Sequence, residues 1–434
     1  MRDSRRSFGY DMLAFIMGLT STLFVPTPVG FIAMLDLASY VLAIPIFLTS
    51  FSSYSKHLKW LMLLICFWLI NAIVSDMYRG TPFRIGFKAW MIIVNSLTLV
   101  IVGAWILRKS VRALPFFLVG CAVSMVVQLY YFQNGALLSY AVRSGFSGGT
   151  NMSDYLIDKQ VYPIWVGMFL SILMAFRILG VVPWPICIAG YVAGAFFLMA
   201  QGGSRSSFLI NMCSSFLVFA YVYWRKGFDL IFKRKLLTLC GVVVVALLFN
   251  MFYLHAAKEG WLGEAGYQKV EKKKSGEDSF LDNRADLLIN WPFLWRSPII
   301  GAGSELIDRW GYVNRSPYVR HYDPMGRPIY HDGFYGHSCI VSAWTANGLF
   351  GLVFWLFVFW LVFDFLGEKL YVLRDAGPYV MACLIGICWN IAFSPYGMFR
   401  GRVMFVAAFL ALVQDQKFMS WLGGTQWMER QHRR

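Results

Sequence analysis

Apolar stretches separated by polar turns run along nearly the whole chain, at about 10–25, 29–50, 59–75, 87–107, 113–132, 162–178, 181–200, 206–224, 236–254, 338–366, 378–396 and 402–416. A hydrocarbon core about 30 Å thick takes about 20 helical residues to cross, so the pattern predicts an all-α polytopic membrane protein with about 12 transmembrane helices. The first run follows MRDSRRSF. The STLFVPTPVGF after it has no small-x-small cleavage site and leads into another span, which predicts a retained first helix. Short cytoplasmic loops are enriched in Lys and Arg. With the cationic start inside, alternation places YSKHLK, RKSVR, RKGFDLIFKRK, GEKLYVLR and the final ERQHRR inside as well. Both termini are then cytoplasmic, and the long polar connections, about 133–161 and 255–336, fall outside. The expected organisation is helices one to nine over 1–254, a large external loop with a short interfacial helix over 255–336, and helices ten to twelve with a cytoplasmic tail over 337–434.

Composition agrees with that picture. The 434 residues are 58% hydrophobic and 14% charged, against roughly 25% charged in soluble domains, and the mean hydropathy is positive. The net charge is +16, and the inside loops hold about half of the cations, which points to membrane lipids as partners and not to nucleic acid. All eight cysteines lie in or at the ends of spans. They form neither a disulfide framework nor a CxxC signature and read as small apolar packing residues.

The remaining cations break the charge rule. Arg79, Arg84 and Lys88 in DMYRGTPFRIGFK, Arg205 in QGGSRSSF, and Arg400 and Arg402 in YGMFRGRVMF sit in short outer loops. An ionisable group in the membrane costs up to about 3 kcal/mol at a helix centre and persists where it faces a cavity or partner. Each arginine alone has a simpler explanation, snorkelling to the headgroups; together they point to a bound polyanion. Arg205 opens a helix beside Ser204 and two glycines, and a helix N-terminus with a guanidinium suits phosphate.

In the large loop, QKVEKKKSGED (268–278) reads as a solvated face. In SFLDNRADLLINWPFLWRSPIIGAG, Asp282 can cap a short helix on which Arg284, Leu287, Leu288 and Trp291 share one face, and Pro292 is expected to end or kink it. Trp291 and Trp295 suit the lipid interface. SPIIGAG, with Gly301 and Gly303, is a turn that lets backbone approach backbone or a ligand. The run HYDPMGRPIYHDGFYGH (321–337) offers His321, Asp323, His331, Asp332 and His337 as metal ligands, but the spacing fits no rigid zinc template, and no metal is expected. His337 stands at the mouth of a membrane helix, before Ser338. There it either marks the water boundary or takes a proton from a hydroxyl at the outer surface.

Three blocks resemble the bacterial O-antigen ligase and O-antigen polymerase superfamily, in the family's order: GGSRSSF (202–208), NRADLLINWPFLWRSPIIGAGSELI (283–307) and HSCIVSAWTANGLFGL (337–352). The resemblance covers about residues 195–365. It implies a glycosyltransferase of the GT-C type of fold in the bacterial inner membrane, with its active site facing the periplasm and its donor glycan on undecaprenyl diphosphate. No metal or other cofactor is implied. Arg205 and Arg284, helped by Arg400 or Arg84, would bind the diphosphate, and His337 would be the general base of an inverting transfer. Ser204, Ser338, Gly301 and Gly303 would position the loop and the acceptor. The acceptor is a growing glycan in a polymerase of O-antigen or exopolysaccharide, or lipid A core in a ligase. A chain-length regulator is a further partner of the polymerase. Leu352 follows the last glycine where ligases tend to have Thr or Val, which tilts the reading to a polymerase. A polysaccharide exporter or flippase is the alternative from another class.

Overall fold

The computed structural model describes residues 2–22, 24–27, 30–133, 162–178, 180–200, 205–224, 255, 259, 285–305, 338–370, 373, 376–393 and 400–423. Fourteen α-helices lie among them. They are α1 (Arg2–Leu19), α2 (Met34–Ser50), α3 (Lys56–Arg79), α4 (Phe83–Lys109), α5 (Ala113–Gln133), α6 (Tyr162–Ile178), α7 (Trp184–Ala200) and α8 (Arg205–Tyr223), then α9 (Ala285–Arg296), α10 (Cys339–Asn347), α11 (Leu349–Asp364), α12 (Gly377–Phe393), α13 (Arg400–Leu412) and α14 (Gln416–Gly423). Four of these helical stretches, Met34–Ser53, Lys56–Arg79, Phe83–Lys109 and Leu349–Gly367, are long and apolar enough to cross a membrane. Seven shorter apolar helices accompany them among the described residues. The protein is therefore helical and membrane-embedded.

Eleven of the twelve apolar runs fall on helices, and the run 236–254 lies outside the described residues. Three details differ from expectation. The run from 29 begins as a β-ribbon, β1 (Phe24–Thr27) with β2 (Gly30–Ala33), paired from Phe24↔Ala33 to Thr27↔Gly30. Gly30–Ala33 are held in the ribbon by their pairing with Phe24–Thr27, and the helix starts at Met34. Pro292 does not end α9, which runs on to Arg296, where Phe293 and Leu294 are buried and Trp291 and Trp295 stay exposed. The run 338–366 is two helices, broken between Asn347 and Leu349.

α13 is the central helix. Residues 403–413 are at most 2% exposed, enclosed by α3, α4, α5 and α11. Phe405 stacks on Phe117 at 3.9 Å and covers Gly103. On the periphery, α1 and α5 cross at Gly18 and Gly120, where a Cβ on either would overlap the other helix's backbone. Small residues at a crossing give membrane helices close van der Waals contact. The second group, α6, α7, α8 and α12, joins through α5 and α12.

Among the described residues, those of three basic turns, YSKHLK, RKSVR and GEKLYVLR, gather at one end of the bundle. Arg108 Nη1 donates to Ser53 Oγ at 2.6 Å, His57 stacks on Trp360, Lys369 pairs with Asp364 at 2.7 Å, and Ser55 Oγ reaches the Ala411 carbonyl. α1 begins at this end, Tyr10 lying edge-on to Trp105 and the buried Asp11 accepting from Ser110 Oγ. Arg79, the start of α4 and the 297–305 segment lie at the opposite end.

Candidate functional site

The run 338–366 is longer than one crossing needs, and the chain spends the excess on a break. Gly348 turns the backbone at φ 72°, ψ −158° between α10 and α11. A broken helix leaves backbone N–H and C=O groups without partners in an apolar setting, where each is costly. The SPIIGAG turn, residues 297–303, supplies the partners. Ala302 N–H donates to the Thr345 carbonyl at 2.7 Å, Gly303 N–H to the Ala346 carbonyl at 3.0 Å, and Leu349 N–H to the Ile299 carbonyl at 3.0 Å. Trp344 Nε1 adds a bond to the Pro298 carbonyl at 3.0 Å.

Such pairing requires backbone laid on backbone. A Cβ at Gly348 would overlap the Ile299 carbonyl oxygen, and one at Gly301 would stand 2.5 Å from the Ala346 oxygen. Gly301 and Gly303 also hold φ of 93° and 92°, open to glycine at little cost. The turn therefore approaches main chain here.

One edge of α3 completes the junction. Asn71, Ser75 and Arg79 recur every four residues, which stacks them on one helix face, with Asp76 beside them. Asn71 Nδ2 donates to the carbonyls of Ile299, Ile300 and Asn347. Trp68 Nε1 donates to Asn347 Oδ1 at 3.0 Å, and Ser75 Oγ to the Ala346 carbonyl at 3.2 Å. Arg79 Nε donates to the Gly301 carbonyl at 3.1 Å and Nη2 to Ser297 Oγ at 2.7 Å. Asp76 is 1% exposed, which is tolerable for a carboxylate only when it is hydrogen-bonded. It accepts from Ser304 N–H at 2.5 Å, Ser304 Oγ at 2.8 Å and Trp90 Nε1 at 2.7 Å. Among the described residues these side chains spend their polar atoms on protein partners, so the junction is built to hold two segments together.

Ser338 caps α10, its Oγ accepting from Val341 N–H at 3.3 Å, and is buried. The helix it starts is pinned at its other end by the junction, nine residues or about 13 Å away. Arg205 is the first residue of α8 and Arg400 the first of α13; both side chains lie outside the described set. Arg84 is exposed on the first turn of α4. Phe405 covers Gly103, which puts the Arg400 backbone level with the middle of α4, roughly 20 Å along the axis from Arg84 at 1.5 Å per residue. Arg84 and Arg400 are therefore not brought to one site. Arg79 is an anchor of the turn, Lys88 is exposed, and Arg402 Nη2 lies 3.2 Å from Met125 Sδ. His337, Arg284 and Ser204 lie outside the described residues, as do Asp282, His321, Asp323, His331 and Asp332.

Trp68, Asn71, Ser75, Asp76 and Asn347 form the junction without having been singled out in the sequence. The four-residue polar spacing in α3 and the Asn-Gly pair inside an apolar run were the available signals. No protein-family model matches the chain, and comparison with curated protein sequences finds no match.

Proposed function

We propose that this protein is a GT-C-type glycosyltransferase of the bacterial inner membrane, with about 12 spans, both termini cytoplasmic and its active site facing the periplasm. Its donor is an undecaprenyl-diphosphate-linked glycan, and it joins repeat units of O-antigen or exopolysaccharide. The observation that carries this reading is the junction. Two of the three sequence blocks, 283–307 and 337–352, meet there backbone to backbone, although residues 308–336 separate them. The Gly348-x-x-Gly351 of the third block receives the Gly301-x-Gly303 turn of the second, and Gly351 lets α11 close on the Ala343 carbonyl of α10.

In the proposed reaction the acceptor hydroxyl oxygen attacks the anomeric carbon while the bond from that carbon to the diphosphate oxygen breaks on the opposite side, inverting the centre. His337 takes the hydroxyl proton, a role worth about 10²–10⁴ in rate. The leaving diphosphate gathers negative charge, which guanidinium groups stabilise as fixed charges. Arg205 and Arg284 fill that role with one helper, Arg400 or Arg84, which lie too far apart along the axis of α4 to share it.

Transporters also use broken helices, whose free backbone groups bind cargo. Here the Thr345 and Ala346 carbonyls and the Leu349 N–H are taken by the turn, which weighs against an exporter. The test is the glycan profile of a strain lacking the gene, at the cell surface and on the lipid carrier. Single repeat units in place of long chains support the polymerase. Long chains stranded on the carrier identify a ligase to lipid A core. Glycan trapped on the cytoplasmic face identifies a flippase and overturns the proposal.

A further inference from the structure

Resting on the transferase reading, we infer that the polar edge of α3, formed by Asn71, Ser75, Asp76 and Arg79, is a positioning device that sets both roots of the 305–337 segment relative to the membrane domain. The segment leaves at Ser304 and returns at Ser338. Its departing root is held by Asp76, which takes both the N–H and the hydroxyl of Ser304, and by Arg79, which grips Ser297 and Gly301. Its returning root is the N-terminus of α10, whose other end is held by Asn71 and Ser75 through the Asn347 and Ala346 carbonyls. The departing root thus hangs directly from α3, while the returning root, where Cys339 Sγ also reaches the Asn390 carbonyl of α12, is tied to α3 through the length of α10.

That helix is itself fixed. Trp68 stacks on Phe354 at 5.0 Å and meets Trp355 edge-on, and Ser55 caps the far end of α3. Loss of the Asp76 bonds is therefore expected to loosen the departing root, and with it the turn that holds α10, while the bundle stays packed. His337 precedes Ser338 in the sequence, and the clasp acts on it in this proposal through the turn and the length of α10. A displacement of about 1 Å at a reacting group costs on the order of 10²-fold in rate. The four side chains act through the roots and are positioning residues.

The test uses the purified full-length protein in lipid nanodiscs, as wild type, Ser304→Ala, Asp76→Asn and Asp76→Ala, with an undecaprenyl-diphosphate-linked repeat unit as donor. Hydrogen exchange of the 297–305 peptide reads the clasp, and kcat and KM per folded enzyme read the reaction. Ser304→Ala keeps the backbone bond to Asp76 and is expected to change least. Asp76→Asn keeps one acceptor oxygen and falls between. Asp76→Ala is expected to speed exchange most and to lower kcat about 10²-fold with the donor KM little changed. A purely structural residue would lower the amount of folded protein and leave kcat alone. If Asp76→Ala yields no folded protein, the order of Ser304→Ala and Asp76→Asn decides. Wild-type exchange in the Asp76 variants, or faster exchange with wild-type kcat, overturns the inference. A wild-type protein that transfers nothing overturns the transferase reading and the catalytic half of the inference, while exchange still shows whether Asp76 holds the root.

Discussion

Gly348→Ala is the sharpest test of the junction. The residue sits at φ 72°, ψ −158°, a region essentially reserved for glycine, where another residue costs about 1–3 kcal/mol. The added methyl would overlap the Ile299 carbonyl oxygen and stand 2.5 and 2.6 Å from the carbonyl carbons of Ile299 and Ile300. Overpacking of that kind costs about 1–3 kcal/mol. Moving the turn away to relieve it breaks the bond from Leu349 N–H to the Ile299 carbonyl, a further 0.5–1.5 kcal/mol or about that. The total, about 3–7 kcal/mol, is a large share of the roughly 5–15 kcal/mol that holds a domain folded. Gly386→Ala in α12 is the control, because no atom lies within 4 Å of its added Cβ and a helix gains about 0.5–1 kcal/mol from the change. Thermal unfolding followed by tryptophan fluorescence, with abundance in membranes, should show Gly348→Ala far below the control. Equal unfolding midpoints for the two variants would refute the backbone-on-backbone junction.

Asn71→Leu removes the donor shared by three carbonyls, one buried and two partly buried, and is expected to cost about 1–3 kcal/mol; a denaturation midpoint at the wild-type value would count against it. His337→Ala and Arg205→Ala are each expected to abolish transfer while the protein still inserts at normal abundance, and normal glycan from either variant would remove that residue from the mechanism. A chelator is expected to leave transfer intact in washed membranes, and its loss on chelation, restored by a divalent ion, would bring back the metal reading of 321–337.

The helices were legible because burial in lipid asks only for apolar length, which a hydropathy pattern reads directly. Of the basic turns, 54–59, 108–112 and Lys369 share one end of the bundle, as enrichment of Lys and Arg in short loops on one side predicts. The break at Asn347–Gly348 was hidden because nine apolar-rich residues on one side and sixteen on the other average into a single long run. Its excess length and the Asn347-Gly348 pair inside it were the warnings.

The junction shows where legibility stops. SPIIGAG could be read as a point of close approach, because glycine permits it, but the partners are the carbonyls of Thr345 and Ala346, a group every residue carries. No side-chain pattern marks a main-chain acceptor. Asn71 and Asn347 are different. Each is a neutral polar side chain inside an otherwise apolar run, and in lipid an unsatisfied amide costs several kcal/mol, so each had to find a partner within the bundle. Asn71 lies eight residues, about 12 Å of helix rise, from the Arg79 end of α3, and Asn347 lies a comparable distance down α10 from Ser338. Their need for partners was therefore legible but the partners were not, because Asn71 meets the main-chain carbonyl of Asn347 while Trp68 takes the Asn347 side chain, and the clasp on Asp76 follows only once that packing brings Ser304 to the end of α3.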